Sequence, residues 1–203
     1  CKNPMFGRLT IATTHTQARY VLPQIIAKFR EKYPDVRLSL LEGAPSQIAQ
    51  MVLHDHADIA VATERLAATE GLSSEACYDW THQILLPAAH PLAQKTKIKI
   101  QDLAQYPLIT YDPAFAGRAK IDKAFIDAHL RTDIALEAVD ADVIRTYVEL
   151  GLGVGIMAGM ALANVDCDKL GLVKRDAGYL FGKNTTYAAV KMDRFLREYE
   201  LYF

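Results

Sequence analysis

Five consecutive residues, Thr13-Thr14-His15-Thr16-Gln17, place hydroxyls, an imidazole and a carboxamide where a strand-like run gives way to a helical one. A helix N-terminus presents free N–H groups and a partial positive charge of about half an electron. Two or three hydroxyls and an amide beside it form a donor-rich cup for a carboxylate or oxyanion, held by hydrogen bonds with no obligate Arg or Lys. The bland alternative is capping, since Thr and Ser begin many helices. Thr63 closes the apolar run DIAVAT, so its hydroxyl is expected at the same end of the sheet; a strand-end bond to backbone is the competing reading. Tyr111–Arg118 (YDPAFAGR) is the matching strand-end loop of the second half. Its Arg118 could face an anion, but a solvated helix residue is preferred.

Other apparent motifs do not hold. Gly151-Leu152-Gly153-Val154-Gly155 resembles a nucleotide-binding glycine loop, but GxGxxG is incomplete and the run follows a helix and precedes a strand, the reverse of the required order. Helix termination and close packing account for it. His54-Asp55-His56 lacks the i, i+4 spacing of a helical metal pair and reads as a solvated turn. There is no GxSxG elbow, no P-loop and no cysteine beside an evident base; Cys77 reads as small and buried, or idle. No catalytic residues, metal or cofactor are expected.

The elements that must position these groups follow from periodicity. Gly7–Thr13 alternates and is rich in β-branched residues, as strands are. Val21, Leu22, Ile25, Ile26 and Phe29 recur at helical spacing up to Tyr33-Pro34. Val36–Leu41 is a second strand. Ser46 is the expected N-cap of a helix through Leu53, and Asp58–Ala62 a buried strand. Residues 7–63 thus read β-α-β-α-β, which implies a parallel sheet. The second half repeats the theme: strands at His82–Leu86, Leu108–Tyr111, Ile134–Ala138 and Val154–Met157, with helices at Arg118–His129 and Asp142–Leu150. Thr185–Val190 should be a strand and Asp193–Tyr202 a terminal helix. No linker separates the halves, so two α/β lobes joined by strands are expected, with a ligand cleft between them beyond the strands' carboxyl ends.

Composition agrees with a globular binder. The chain has 203 residues, 51% hydrophobic and 23% charged, enough for a core. The net charge of −1 lacks the basic surplus of an autonomous nucleic-acid-binding domain. No apolar run nears the roughly 20 residues of a membrane span. Cys1, Cys77 and Cys167 are odd in number and widely spaced, which fits a reducing compartment better than a disulfide framework. The opening CKNPMFG is not a signal peptide, and the chain reads as a fragment whose N-terminal part lies elsewhere.

GRLTIATTHTQARYVLPQIIAKFREKYPDVRLSLLEGAPSQIAQMV resembles the start of the effector-binding domain of LysR-type transcriptional regulators, specifically their CysB/Cbl branch. The resemblance continues through ADIAVATE, YDPAFAGR, DADVIRTYVELGLGVGIMAGMA and LFGKNTTYAAVKMDRFLREY, nearly the whole chain. It implies two Rossmann-like lobes of the periplasmic-binding-protein type joined by two crossover strands, with lobe I at 1–79 and 184–203 and lobe II at 80–183. It also implies an N-terminal winged helix-turn-helix that binds DNA, absent here, with homotetramer assembly, contact with RNA polymerase and a cytoplasmic location. The function implied is control of sulfur assimilation and cysteine biosynthesis through a small anionic effector, N-acetylserine or O-acetylserine, with sulfate able to occupy the cleft. On the family's pattern Thr14, Thr16 and Gln17 hold the anion with Thr63 beside them, and Tyr78 and Trp80 border the cleft. Where the family usually reads FTGR, this chain has Phe115-Ala116-Gly117-Arg118. Ala116 occupies the ligand position but cannot donate through its side chain, so backbone N–H groups or water must substitute. That keeps open a Cbl-like paralogue sensing adenosine phosphosulfate. A solute-binding protein of the same fold is a further alternative; an enzyme on this fold would need a nucleophile or an acid–base pair.

Overall fold

The computed structural model describes residues 7–115, 117–194 and 196–203. In chain order the elements are β1 (Gly7–Thr13), α1 (His15–Tyr20), α2 (Leu22–Lys32), β2 (Val36–Glu42), α3 (Pro45–Leu53), β3 (Ile59–Ala62) and β4 (Leu72–Pro87). They continue with α4 (Ile100–Leu103), β5 (Pro107–Tyr111), α5 (Arg118–Asp127), β6 (Asp133–Ala138), α6 (Ala141–Glu149) and β7 (Val154–Ala158). The last are β8 (Leu172–Asp176), α7 (Gly178–Phe181), β9 (Lys183–Lys191) and α8 (Glu198–Tyr202). The chain divides into two compact units. Unit 1 comprises the chain up to Tyr78 together with Thr185–Phe203, and unit 2 is Asp79–Asn184. The chain passes between them twice, within β4 and within β9.

In unit 1 the strand order is β2-β1-β3-β9-β4, with β1 parallel to β2 and β3, and β9 antiparallel to β3. Period-two alternation divides the side chains between two faces. Leu9, Ile11, Ile59 and Val61 meet Leu22 and Phe29 of α2 and Tyr199 of α8. Ala12, Ala60 and Ala62 lie on the other face with Ile48, Ala49 and Val52 of α3. Leu9, Ile11 and Phe29 are at most 1% exposed, each worth about 1.5–3 kcal/mol of burial. The end of the chain is fastened by charge: Arg194 bonds Asp58 at 2.8 Å and Glu200 at 2.7 Å, and Arg197 bonds Glu200 at 2.6 Å. Burial by itself raises the Glu200 carboxyl, but the Arg197 hydrogen bonds and both guanidinium charges outweigh it and leave it below its ordinary value.

Unit 2 has the order β8-β4-β7-β5-β6. Here β5 is parallel to β6 and β7, while β4 runs antiparallel to β7 and β8. Its core gathers Ile84, Leu86, Leu108, Ile121, Phe125, Val154, Ile156 and Phe181. The β5-α5-β6-α6-β7 stretch repeats the unit 1 plan, its first strand in the middle. Even a detail recurs: Thr13 Oγ1 on β1 donates to Val61 O of β3 at 2.9 Å, and Thr110 Oγ1 on β5 donates to Ile156 O of β7 at 2.8 Å.

Several elements differ from the sequence expectation. The first helix breaks at Val21 into α1 and α2, because Pro23 has no N–H to donate and its ring excludes an unbroken turn through Arg19. Helix α3 starts one residue before Ser46: Ala44 is the N-cap, Pro45 opens the first turn, and Gln47 Oε1 accepts from Ala44 N at 2.8 Å. The His82–Leu86 strand is the end of the 16-residue β4. The terminal helix is only the five residues of α8, since Asp193 adopts φ 60°. The glycine run behaves as expected: Gly151 (φ 77°) stops α6, and a Cβ on Gly153 or Gly155 would strike Pro107 O at 2.6 Å or Val148 at 2.7 Å.

Candidate functional site

Because β1, β2 and β3 are parallel and in register at Thr13, Glu42 and Val61, their carboxyl ends share one sheet edge. Thr14 sits there as the N-cap of α1, only 8% exposed, and makes no side-chain cap bond. Ordinary capping therefore does not account for its hydroxyl. Thr16 and Gln17 follow on α1, both buried. Thr63 lies one residue past β3, half-buried. The antiparallel pairing of Ala62 with Tyr187 brings Thr186, fully buried, to the same edge.

Gln17 ties this edge together. Its Nε2 donates to Thr186 Oγ1 at 3.2 Å, and its Oε1 accepts from the Tyr78 hydroxyl. Burial pushes the Tyr78 phenol up to about 12, with hydrogen bonds to Thr186 and Gln17 opposing part of the rise. Tyr78 thus stays a neutral donor across the physiological range. Beside the network, Thr185 N donates to Glu64 Oε1 at 2.6 Å and His15 Nδ1 lies 3.5 Å from Glu42. Thr14, Thr16, Gln17, Thr63 and Tyr78 are gathered on unit 1. Thr186 was not foreseen; the TTY at the start of β9 offered hydroxyls, but only the register places them.

Trp80 belongs to unit 2. It is 7% exposed, its ring 5.1 Å from that of His82 at 71°, and His82 in turn meets Phe181 edge-on at 6.0 Å. Ala116 lies outside the described residues, as do Cys1 and the opening segment. The strand-end loop after β5 is laced to itself: Asp112 Oδ1 accepts from Ala114 N at 3.0 Å, and Asp112 O from Phe115 N at 3.0 Å. Arg118 is neither solvated nor aimed at a ligand. It is 6% exposed, donates to Tyr111 O at 2.6 Å, and pairs with Asp122 at 2.8 Å and Glu137 at 3.2 Å. Its charge fastens the loop to α5 and β6. Gly117, the N-cap of α5, has φ 71°, and a Cβ there would lie 2.6 Å from Asn184 Oδ1.

Cys77 is exposed rather than buried, since β4 turns it outward; desolvation still raises its thiol, which opposes nucleophile behaviour. His54 and His56 are exposed, and Asp55 pairs with Lys191 at 2.9 Å. No helix among the described residues is long and apolar enough to cross a membrane. The arrangement offers neutral hydroxyl and amide donors for an acceptor-rich small molecule.

Residues 2–199 match the family described as LysR substrate binding domain. The chain is 55% identical over 193 residues to the HTH-type transcriptional regulator CysB of Burkholderia cenocepacia, covering 95% of this chain and 61% of that protein. It is 43% identical over 197 residues to the HTH-type transcriptional regulator cbl of Escherichia coli, covering 97% of this chain and 62% of that one. The chain thus spans about three-fifths of the curated relatives it matches. The crystal structure of the cofactor-binding domain of the Cbl transcriptional regulator superposes with a TM-score of 0.91 at 42% identity, covering 98% of this chain and 86% of that one. The α/β fold is therefore the periplasmic-binding-protein-like fold of such domains, and the relatives are regulators rather than enzymes. The chain belongs to the LysR substrate-binding domain family and is CysB/Cbl-like within it.

Proposed function

We propose that this chain is the ligand-sensing domain of a regulator of sulfur assimilation and cysteine biosynthesis. Its effector is a small anion, N-acetylserine or O-acetylserine, with sulfate as a competing occupant. It acts through an N-terminal winged helix-turn-helix on DNA, within a cytoplasmic homotetramer that engages RNA polymerase. The observation that carries the effector class is the unit 1 edge: Thr14, whose hydroxyl is not used as a cap, stands with Thr16, Gln17, Thr63 and the neutral phenol of Tyr78. Neutral donors favour an oxyanion or carboxylate without the fixed charge that would demand a more highly charged ligand. Ligand binding shifts the regulator only through differential affinity for its states. A coupling of about 1–3 kcal/mol changes DNA affinity roughly 5–150-fold, enough for a switch.

The test is a titration of the chain with N-acetylserine, O-acetylserine, sulfate and adenosine phosphosulfate, followed by calorimetry and Trp80 emission. An acetylserine should bind saturably, and Thr14→Ala or Thr63→Ala should each weaken it by roughly tenfold, the worth of one hydrogen bond to a charged group. Unchanged affinity in both variants removes this placement. A second reading, a Cbl-like sensor of adenosine phosphosulfate, is left open by alanine at position 116 in place of the family's usual threonine. Binding of that nucleotide alone selects it.

A further inference from the structure

The amino ends of the unit 1 strands, opposite the edge that gathers Thr14 and Gln17, carry charges that the proposed function does not use. Arg8 on β1 and Arg37 on β2 are register partners in a parallel pair, so their side chains leave the same face of the sheet side by side. Both are exposed, and neither has a carboxylate partner among the described residues. Arg8 reaches only a neutral group, Ser39 Oγ at 3.4 Å. Like charges held across neighbouring strands repel, and the pair therefore costs stability until an anion joins it. Arg197 Nη2 donates to Arg8 O at 3.1 Å, which brings a third guanidinium to the same place. Arg8 and Arg197 open onto a cleft of about 410 Å³ within unit 1, lined also by Thr10, Ser39, Leu41 and His56. Two carboxylates of the turn after α3 line it as well, and both are already neutralised. Asp55 pairs with Lys191 at 2.9 Å, and Asp58 pairs with Arg194 at 2.8 Å and lies 3.7 Å from Arg197. What remains is two guanidiniums without a counter-charge, beside the hydroxyls of Thr10 and Ser39.

We propose that this cleft is a separate ligand site for a phosphoryl group, either the free ion or the head of a small phosphate ester, held by Arg8 and Arg37. A guanidinium presents a planar fork that meets two oxygens of one phosphate. Two forks side by side suit a doubly charged tetrahedral group better than a single carboxylate. A dianion offsets both charges and so removes the Arg8–Arg37 repulsion, which a monoanion relieves only in part. Leu41 offers apolar contact to a short carbon substituent on the phosphate. An extended polyanion would have to run past Asp55 and Asp58, whereas one phosphoryl group need not. The assignment does not rest on the effector proposed above: that one belongs to the carboxyl ends of the strands and to neutral donors, this one to the amino ends and to charge.

The experiment titrates wild type, Arg8→Gln, Arg37→Gln and Arg37→Glu with inorganic phosphate and glycerol 3-phosphate by calorimetry at fixed ionic strength, with acetate as the monoanion control. Wild type should bind phosphate saturably and acetate far more weakly. Each glutamine variant should weaken phosphate about tenfold, the loss of one hydrogen bond to a charged group. Tighter binding of glycerol 3-phosphate than of phosphate selects the ester as occupant, and equal binding selects the free ion. Melting temperatures give a second readout. Without phosphate both Arg37 variants should melt at or above wild type, Arg37→Glu highest, because a repelling pair becomes an attracting one. Phosphate should raise the melting temperature of wild type and leave that of Arg37→Glu unchanged. Phosphate affinity that is unaltered in both glutamine variants overturns the site, as does affinity lost in Thr14→Ala instead, which moves the ion to the opposite edge. Acetate bound as tightly as phosphate overturns the dianion assignment. Failure of wild type to bind either phosphate probe, with a short DNA duplex bound through Arg8 and Arg37 in their place or with nothing bound, overturns the small-molecule assignment and leaves the proposed function standing.

Discussion

The two units repeat one plan and treat a buried carboxamide in opposite ways. Each places its first strand between two parallel neighbours and pins it with a threonine hydroxyl, Thr13 in one and Thr110 in the other. Each also buries an amide, Gln17 at 1% exposure and Asn184 at 0%. Gln17 has a protein partner at each amide atom, donating to Thr186 and accepting from Tyr78. Asn184 has neither amide atom paired among the described residues. Shared topology therefore does not fix a shared role for its polar groups. What a polar side chain is for is decided by which neighbours reach it, and in unit 1 those neighbours come from β4 and β9.

Four substitutions break or sharpen this contrast. Gly117→Ala should have the largest effect, about 3 kcal/mol of destabilisation, because it forces a Cβ onto φ 71° and into Asn184 and His82. Urea unfolding measures it; a loss below about 1 kcal/mol would mean that Asn184 does not press on this helix end. Gln17→Ala should cost about 2 kcal/mol, since it takes the carboxamide away from the buried Thr186 hydroxyl and the Tyr78 phenol. Asn184→Ala, which removes an amide unpaired among the described residues, should instead leave the melting temperature level or raised, and equal signs at the two amides would erase the distinction. Glu200→Gln should cost about 1 kcal/mol near neutral pH. The folded Glu200 carboxyl lies below its ordinary value, so its contribution is full above the unfolded carboxylate range and is lost as pH falls through the folded value. Wild type and variant should therefore converge in stability on acidification; a gap that persists in acid would show that Arg194 and Arg197 do not hold this end by charge.

Much of this was legible in sequence, and the exceptions share a cause. Thr14, Thr16 and Gln17 were visible because a strand-to-helix junction is local, and Gly151 because a helix stop is local. Thr186 and Asn184 were not, since their positions depend on β9 crossing from one unit to the other. Half of β4 escaped notice because Ser73–Tyr78 is too polar to announce a strand; its register comes from β9 rather than from a buried face. Arg118 looked like a solvated helix residue because the two carboxylates and the carbonyl that claim it lie at Asp122, Glu137 and Tyr111, only one of them at helical spacing.

The double passage of the chain between units also sets an order of events during synthesis. Unit 2 is one uninterrupted stretch, complete when residue 184 emerges, whereas unit 1 must wait for Thr185–Phe203. Until then Gln17 lacks Thr186, the alanine face lacks Ala189 and the opposite face lacks Tyr199. At ordinary rates of translation, about 5–20 residues per second, that interval is roughly 1–4 s. Throughout it, β3 offers an open hydrogen-bonding edge, the kind of template on which nascent chains pair wrongly. The later unit in space-filling terms is thus the earlier one on the ribosome, and a holding chaperone has its clearest task on the first 78 residues.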